Sequence, residues 1–112
     1  MAEERKDITE CMQHLTKALG YKPQGSVLSN RRYCYLLLPR LKEMYPDRSP
    51  TDSMKLLIDY GRMTFLGPFI CDFKYLYYNY GKIIETIRRD IKEGKIKVDN
   101  TPKETILKYE DQ

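Results

Sequence analysis

The chain has 112 residues, a formal net charge of +4 and 41% hydrophobic residues. This length corresponds to one domain and excludes large barrels and two-domain enzymes. The aliphatic run Leu36 to Leu38, like every other in the chain, falls far short of the roughly 20 residues that cross a membrane, so we expect no membrane span. The first ten residues carry four acids and no apolar stretch, unlike a secretory signal or a transit peptide, and we expect a cytoplasmic location.

The cysteines are three in number and lie far apart, without a C-x-x-C pair. An odd, dispersed set favours free thiols that act as small buried apolar groups. The alternative is a zinc site in which Cys11 and His14, one turn apart on a helix, are joined by Cys34 and Cys71. The second half lacks the close pairing typical of zinc modules, so the sequence favours thiols without a metal, and we expect no cofactor.

Helical spacing of apolar residues predicts two helices in the first half of the chain. The first begins with Asp7 as its cap and ends at Gly20. Its apolar stripe comprises Ile8, Cys11, Met12, Leu15, Ala18 and Leu19. The second is capped by Ser26 or Ser29, and Pro39 either kinks it or divides it into two short helices. Its predicted core face is Tyr33, Leu37, Leu41 and Met44.

A third helix is predicted to begin at Ser49 and Pro50, a cap residue followed by a proline in the first turn. Its predicted buried face is Met54, Leu57, Ile58, Gly61 and Phe65. At Gly61 the missing side chain suits close approach by another backbone. Gly67 and Pro68 are predicted to end this element.

Two interpretations fit the last long apolar pattern, which is Phe69, Phe73, Leu76, Tyr80, Ile83, Ile87 and Ile91. One is a single helix of about 25 residues that tolerates Gly81 and ends at Gly94. The other is a helix-turn-helix with its turn at 79–81, followed by a wing of 95–98 and 105–109. The pattern keeps its phase through Gly81, which favours one helix.

The predicted fold is therefore all-α, a small bundle of four to six helices around one core, in a single domain spanning 1–112. After Gly94 the residues KIKV alternate like a short strand. A last short helix is predicted from Thr101 onward, or, alternatively, a minor β-hairpin near the C-terminus.

Residues that support catalysis are scarce. The chain lacks phosphate-binding glycine loops, the G-x-S-x-G nucleophile turn and the H-E-x-x-H zinc motif. Histidine is the residue type most often used as a general base near neutral pH, and His14 is the one histidine in the chain. On the rim of an amphipathic helix it is more typical of packing than of base catalysis. We expect a protein without enzymatic activity.

Positive charge is concentrated in two stretches. Residues 11–48 carry seven basic and two acidic side chains, and residues 81–98 carry six and three. A basic face of this kind is the minimum requirement for binding phosphates, although such side chains are often only solvated. The sequence favours a nucleic-acid-binding protein with a DNA-binding or regulatory role. The predicted contacts are Arg31, Arg32, Lys82, Arg88, Arg89 and Lys92.

Tyrosine makes up ten of the 112 residues, and four tyrosines fall between positions 75 and 80. Tyr75 and Tyr78, one turn apart and close to Lys74, predict an interaction face. Such a face suits a protein partner, and the second hypothesis is an adaptor, inhibitor or homo-oligomer. It also suits single-stranded nucleic acid, whose bases stack on aromatic rings. The alternatives are tyrosines that only fill the core and a small-ligand or nucleotide pocket lined by tyrosine and arginine.

Overall fold

The computed structural model describes residues 5–96, which form four α-helices. The helices are α1 (Lys6–Leu19), α2 (Val27–Met44), α3 (Pro50–Gly61) and α4 (Phe73–Lys92), with a short 3₁₀ turn at Gly67–Phe69. Within residues 5–96 there is no strand, so the all-α prediction is confirmed. The four helices of this part of the chain are the lower limit of the predicted four to six. The predicted hairpin or final helix lies outside the described residues, as do the wing positions 97, 98 and 105–109. No helix among those described is both long and apolar enough to span a bilayer.

Hydrogen bonds near the two ends of α2 show its direction relative to α4. Near the start of α2, Asn30 accepts from the backbone N–H of Phe73 at 2.9 Å. Just after its end, the Tyr45 hydroxyl accepts from Arg88 at 3.4 Å. α2 and α4 therefore run parallel and lie side by side, while α1 packs on α3. The largest fully buried side chains are Leu15, Leu37, Leu41, Met54, Ile58, Ile70, Phe73, Leu76, Ile83 and Ile87.

Most helix ends follow the predicted signals. Ser26 caps α2 and Ser49 caps α3, each accepting a backbone N–H three residues later. Gly20 and Gly94 adopt φ values of 84° and 79° after α1 and α4, a left-handed conformation that glycine adopts without strain. The predicted cap at Asp7 is wrong, because Asp7 lies inside the first turn of α1 and its carboxylate pairs with the Arg5 guanidinium at 2.6 Å.

Both uncertain helices are continuous. α2 passes through Pro39, whose ring lies on the exposed side, so the division into two short helices is wrong. α4 passes through Gly81 without a turn, so the helix-turn-helix interpretation is wrong. α4 has 20 residues and not about 25, because Asp72 caps it by accepting the Tyr75 N–H at 2.8 Å.

Two aromatic residues predicted to be buried are exposed. Phe65 is 62% and Phe69 is 56% exposed. α3 ends at Gly61, so both residues belong to the connection to α4, where helical spacing no longer determines which side chain faces the core. The core predictions for Phe65 and Phe69 are therefore wrong.

The two helical glycines Gly61 and Gly81 have opposite surroundings. A Cβ on Gly61 would lie 2.9 Å from both Ile70 Cδ1 and Ile83 Cγ2, so side chains, and not the predicted backbone, make the close approach. A Cβ on Gly81 would meet no atom within 4 Å.

Alanine at these two glycines is expected to change stability in opposite directions. Gly81→Ala gains about 1 kcal/mol of helix propensity, which raises the Tm by several degrees. Gly61→Ala has the same gain, but its Cβ would press on both Ile70 and Ile83. We therefore expect an overpacking cost in the upper part of the usual range of about 1–3 kcal/mol, so its Tm falls. Thermal unfolding followed by circular dichroism measures both. A Gly61→Ala protein more stable than Gly81→Ala would contradict this packing.

Candidate nucleic-acid interface

Three tyrosine rings from α2 and α4 contact one another on the face that these helices share. Tyr33 of α2 lies 5.7 Å from Tyr77 and 5.6 Å from Tyr78 between ring centroids, and Tyr77 and Tyr78 are 5.2 Å apart in an edge-on arrangement. These distances are in the favourable range for aromatic pairs. Tyr78 is 64% exposed, whereas Tyr33 and Tyr77 are half-buried. We call Tyr33, Tyr77 and Tyr78 the tyrosine cluster.

Cations surround the tyrosine cluster. The Arg40 guanidinium lies 5.7 Å from the Tyr77 ring centroid, and Arg40 donates to the Tyr77 hydroxyl at 3.4 Å. The pKa of Arg40 is raised above its ordinary value, mainly by interaction with the Tyr80 hydroxyl and less strongly by interaction with Tyr77, so Arg40 stays charged. On the other side, Arg32 and Lys74 are close enough to act on the Tyr78 hydroxyl as positive charges.

The Tyr78 hydroxyl remains neutral near neutral pH. Interaction with the Tyr33 hydroxyl raises the pKa of Tyr78 more strongly than the nearby Lys74 and Arg32 lower it. Tyr78 therefore presents a neutral ring among cations, without a phenolate charge that would repel a phosphate.

A line of exposed side chains continues from the tyrosine cluster along α4. Lys74, Tyr78, Lys82, Glu85, Arg89 and Lys92 are all exposed. Their spacings of three and four residues place them on one side of the helix. We call Lys74, Lys82, Arg89 and Lys92 the basic strip. Arg89 lies 3.8 Å from the buried Asp90, a loose ion pair, and the acid on the line itself is Glu85.

The remaining predicted contacts lie elsewhere. Arg31 is half-buried and donates to the Thr9 hydroxyl of α1 at 3.2 Å, and Arg88 is half-buried against Tyr45. Tyr75 stacks on Phe69, with ring centroids 6.3 Å apart, and is packed against the core. The structure thus brings Arg32, Lys74, Tyr78, Lys82, Arg89 and Lys92 to one surface and places Arg31, Arg88 and Tyr75 in contacts within the fold.

His14 and the cysteines do not form a common site. Among residues 5–96 no group of three metal-ligating side chains comes together. The four-ligand alternative is therefore wrong: His14 Nε2 instead lies 2.8 Å from Asp59 Oδ1 on α3. Cys11 and Cys34 are fully buried, and interaction with the Cys11 thiol, together with burial, raises the pKa of Cys34.

The thiols are expected to differ in reactivity. Cys71 is partly exposed and burial raises its pKa, so it reacts slowly but is accessible. Ellman's reagent is expected to titrate one thiol in the native protein and all three after unfolding. Reaction of two or three thiols at one rate before unfolding would contradict the burial of Cys11 and Cys34.

Part of this surface lies outside the predicted contacts. The sequence predicts Tyr33 in the core face of the second helix and no face for Tyr77, and Arg40 is one of the basic residues of the stretch 11–48. The spacing of seven residues from Tyr33 to Arg40 places both on one side of α2, which was the available signal.

Comparisons with protein-family models, with curated proteins and with solved structures found no match.

Proposed function

We propose that this protein binds single-stranded nucleic acid on the face shared by α2 and α4. The observation that supports this most strongly is the tyrosine cluster, which is surrounded by Arg32, Arg40 and Lys74 and continues into the basic strip. Aromatic rings among cations are the usual means of holding single strands without strong sequence preference.

Each group has a distinct part in the proposed binding. Tyr78, the exposed ring, offers a surface on which a base stacks, and Tyr33 and Tyr77 hold it in place through ring contacts. Lys74 and Lys82 lie one turn to either side of Tyr78, about 6 Å along the helix axis, where they neutralise adjacent phosphates. The half-buried Arg31 and Arg88 support helix packing in this proposal.

A single strand suits this face better than a duplex. In a duplex the base faces are already covered by their neighbours, so a tyrosine ring has no free face to stack on. α4 also lacks the turn that would present its second half as a separate recognition helix. What the face retains for a duplex is phosphate neutralisation alone.

Replacing Tyr78 with alanine tests the proposal. Loss of one stacking ring is expected to weaken binding of a fluorescent 15-nucleotide strand by about 1–3 kcal/mol, roughly 5- to 150-fold. Fluorescence anisotropy at fixed salt measures the Kd. Tyr35→Ala is the matched control, because Tyr35 is 52% exposed on α2 but faces Arg5 and lies outside the cluster.

The two variants separate stacking from general surface effects. Tyr35→Ala is expected to bind like the unmodified protein, and both variants are expected to keep its Tm because both rings are largely exposed. Equal affinity of Tyr78→Ala and the unmodified protein, with the fold intact, would contradict the proposal. The Tyr78 surface would then be a protein-binding or purely structural one.

A further inference from the structure

Large apolar side chains are concentrated at one end of the bundle. Six of the exposed ones come from the α1–α2 connection, the first turn of α2 and the α3–α4 connection, and they are 56–78% exposed. They are Tyr21, Val27, Leu28, Met63, Phe65 and Phe69. We call this set the apolar end.

Hydrogen bonds join the segments that form the apolar end. The backbone N–H of Gln24 donates to the carbonyl of Cys71 at 2.9 Å, which links the two connections. The Arg62 guanidinium donates to the carbonyl of Ala18 at the end of α1. The six side chains therefore project from one joined end of the molecule. Exposed apolar residues gathered in this way mark interaction sites more often than scattered ones do.

Among the described residues, the exposed charged side chains around the apolar end are positive. Lys17, Lys22 and Arg62 are exposed there. The acids that residues 5–96 place at this end are Asp59 and Asp72, and both are half-buried: Asp59 Oδ1 lies 2.8 Å from His14 Nε2, and the Asp72 side chain accepts the Tyr75 N–H. A second copy of the chain docked through this end would bring like charges together, whereas an acidic partner would meet complementary ones.

A small groove lies beside the apolar end. It lies between α1 and the start of α2 and has a volume of about 240 Å³. Its walls include Met12, Pro23 and Val27, with Lys22 at the same site. Pockets for drug-sized ligands measure about 300–1,000 Å³, so this groove is smaller than such a pocket and offers apolar walls next to one lysine.

From these observations we infer that the apolar end docks an acidic segment of a partner protein that carries large apolar side chains. The apolar side chains of this end would form the buried centre of the interface, and Lys17, Lys22 and Arg62 would lie at its rim. None of these residues belongs to the tyrosine cluster. Together with the proposed function, on which this last step rests, this means that the protein would join a nucleic acid to a second protein.

Selection from a displayed library of random 16-residue peptides on the purified protein tests this inference. Enriched peptides are expected to carry net negative charge and at least two large apolar residues. A synthetic copy of one of these peptides is expected to bind the Leu28→Ser/Phe65→Ser variant roughly tenfold or more weakly than the unmodified protein. It is also expected to bind the Lys22→Glu variant more weakly. Tyr35→Ser, an equally exposed change away from this end, is expected to bind as before.

Several results would overturn the inference. They are the absence of enrichment, enrichment of basic or neutral peptides, and peptides that bind Leu28→Ser/Phe65→Ser as well as the unmodified protein. The inference would also be overturned if the unmodified protein self-associated or bound anionic phospholipid vesicles and Leu28→Ser/Phe65→Ser abolished that binding. A second copy of the chain or a lipid would then be the occupant of the apolar end. Equal Tm values confirm that the variants remain folded.

Discussion

Replacing Asn30 with alanine is expected to lower the free energy of unfolding by about 2–4 kcal/mol, which corresponds to a Tm roughly 10 °C or more below that of the unmodified protein. Asn30 is 3% exposed. Its Oδ1 accepts the buried Phe73 N–H at 2.9 Å, and its Nδ2 donates to the carbonyls of Gln24 and Ser26 at 2.8 and 2.9 Å. One side chain thus joins the starts of α2 and α4 to the α1–α2 connection. Its removal leaves a buried helix N–H without a partner.

Asn79→Ala is the matched control for Asn30→Ala. The Asn79 side chain donates to the carbonyl of Tyr75 one turn earlier in the same helix and joins no other element through that bond. Alanine also favours a helix interior, so we expect a change within about 1 kcal/mol. Thermal and urea unfolding measure both variants. If Asn30→Ala melted close to the unmodified protein, the three hydrogen bonds would not hold the ends of the helices together.

Reversing two charges of the basic strip, Lys74→Glu/Lys82→Glu, is expected to weaken single-strand binding on the order of 100-fold at low salt. Two phosphate contacts are lost and two repulsions are added beside Tyr78. Each lost contact with a single strand also reduces the dependence of log K on log salt by about 0.7, so the slope becomes shallower by about 1.4. Anisotropy titrations at four salt concentrations give both quantities.

The same charge change at the apolar end separates local contacts from net charge. Lys17→Glu/Lys22→Glu alters the total charge equally but lies outside the α2–α4 face. It is expected to weaken binding only slightly and to leave the salt slope unchanged. If both double variants showed the same loss of affinity for the single strand and the same decrease in the salt slope, the basic strip would not be the binding surface.

The helices themselves were predictable from local chemistry. Each signal lies within one turn of the helix end that it determines. Ser49 and Pro50 mark the start of α3, and the left-handed glycines Gly20 and Gly94 mark the ends of α1 and α4. The continuity of α4 was also predictable, because the apolar phase is unchanged through Gly81. Local signals and the fold agree at these positions.

The surface residues were less predictable, because they depend on which helices become neighbours. Tyr33 and Tyr78 are 45 positions apart and meet only because α2 and α4 run parallel. Arg88 was predicted to be accessible, yet it is directed towards Tyr45 by the same arrangement. For Phe65 and Phe69 a helical period was extended past the end of α3. Tertiary packing decided the outcome for the tyrosines and for Arg88, and the position of a helix end decided it for the two phenylalanines.

The most direct test of the proposed function maps the binding surface by nuclear magnetic resonance. A 15-nucleotide single strand is titrated into ¹⁵N-labelled protein at low salt, and the amide shifts are followed residue by residue. If the proposed function is right, the largest shifts occur on the α2–α4 face, at Arg32, Tyr33, Lys74, Tyr77, Tyr78 and Lys82, and they diminish as salt is added. An excess of the strand that shifts no amide, or shifts confined to α1 and α3, would contradict it.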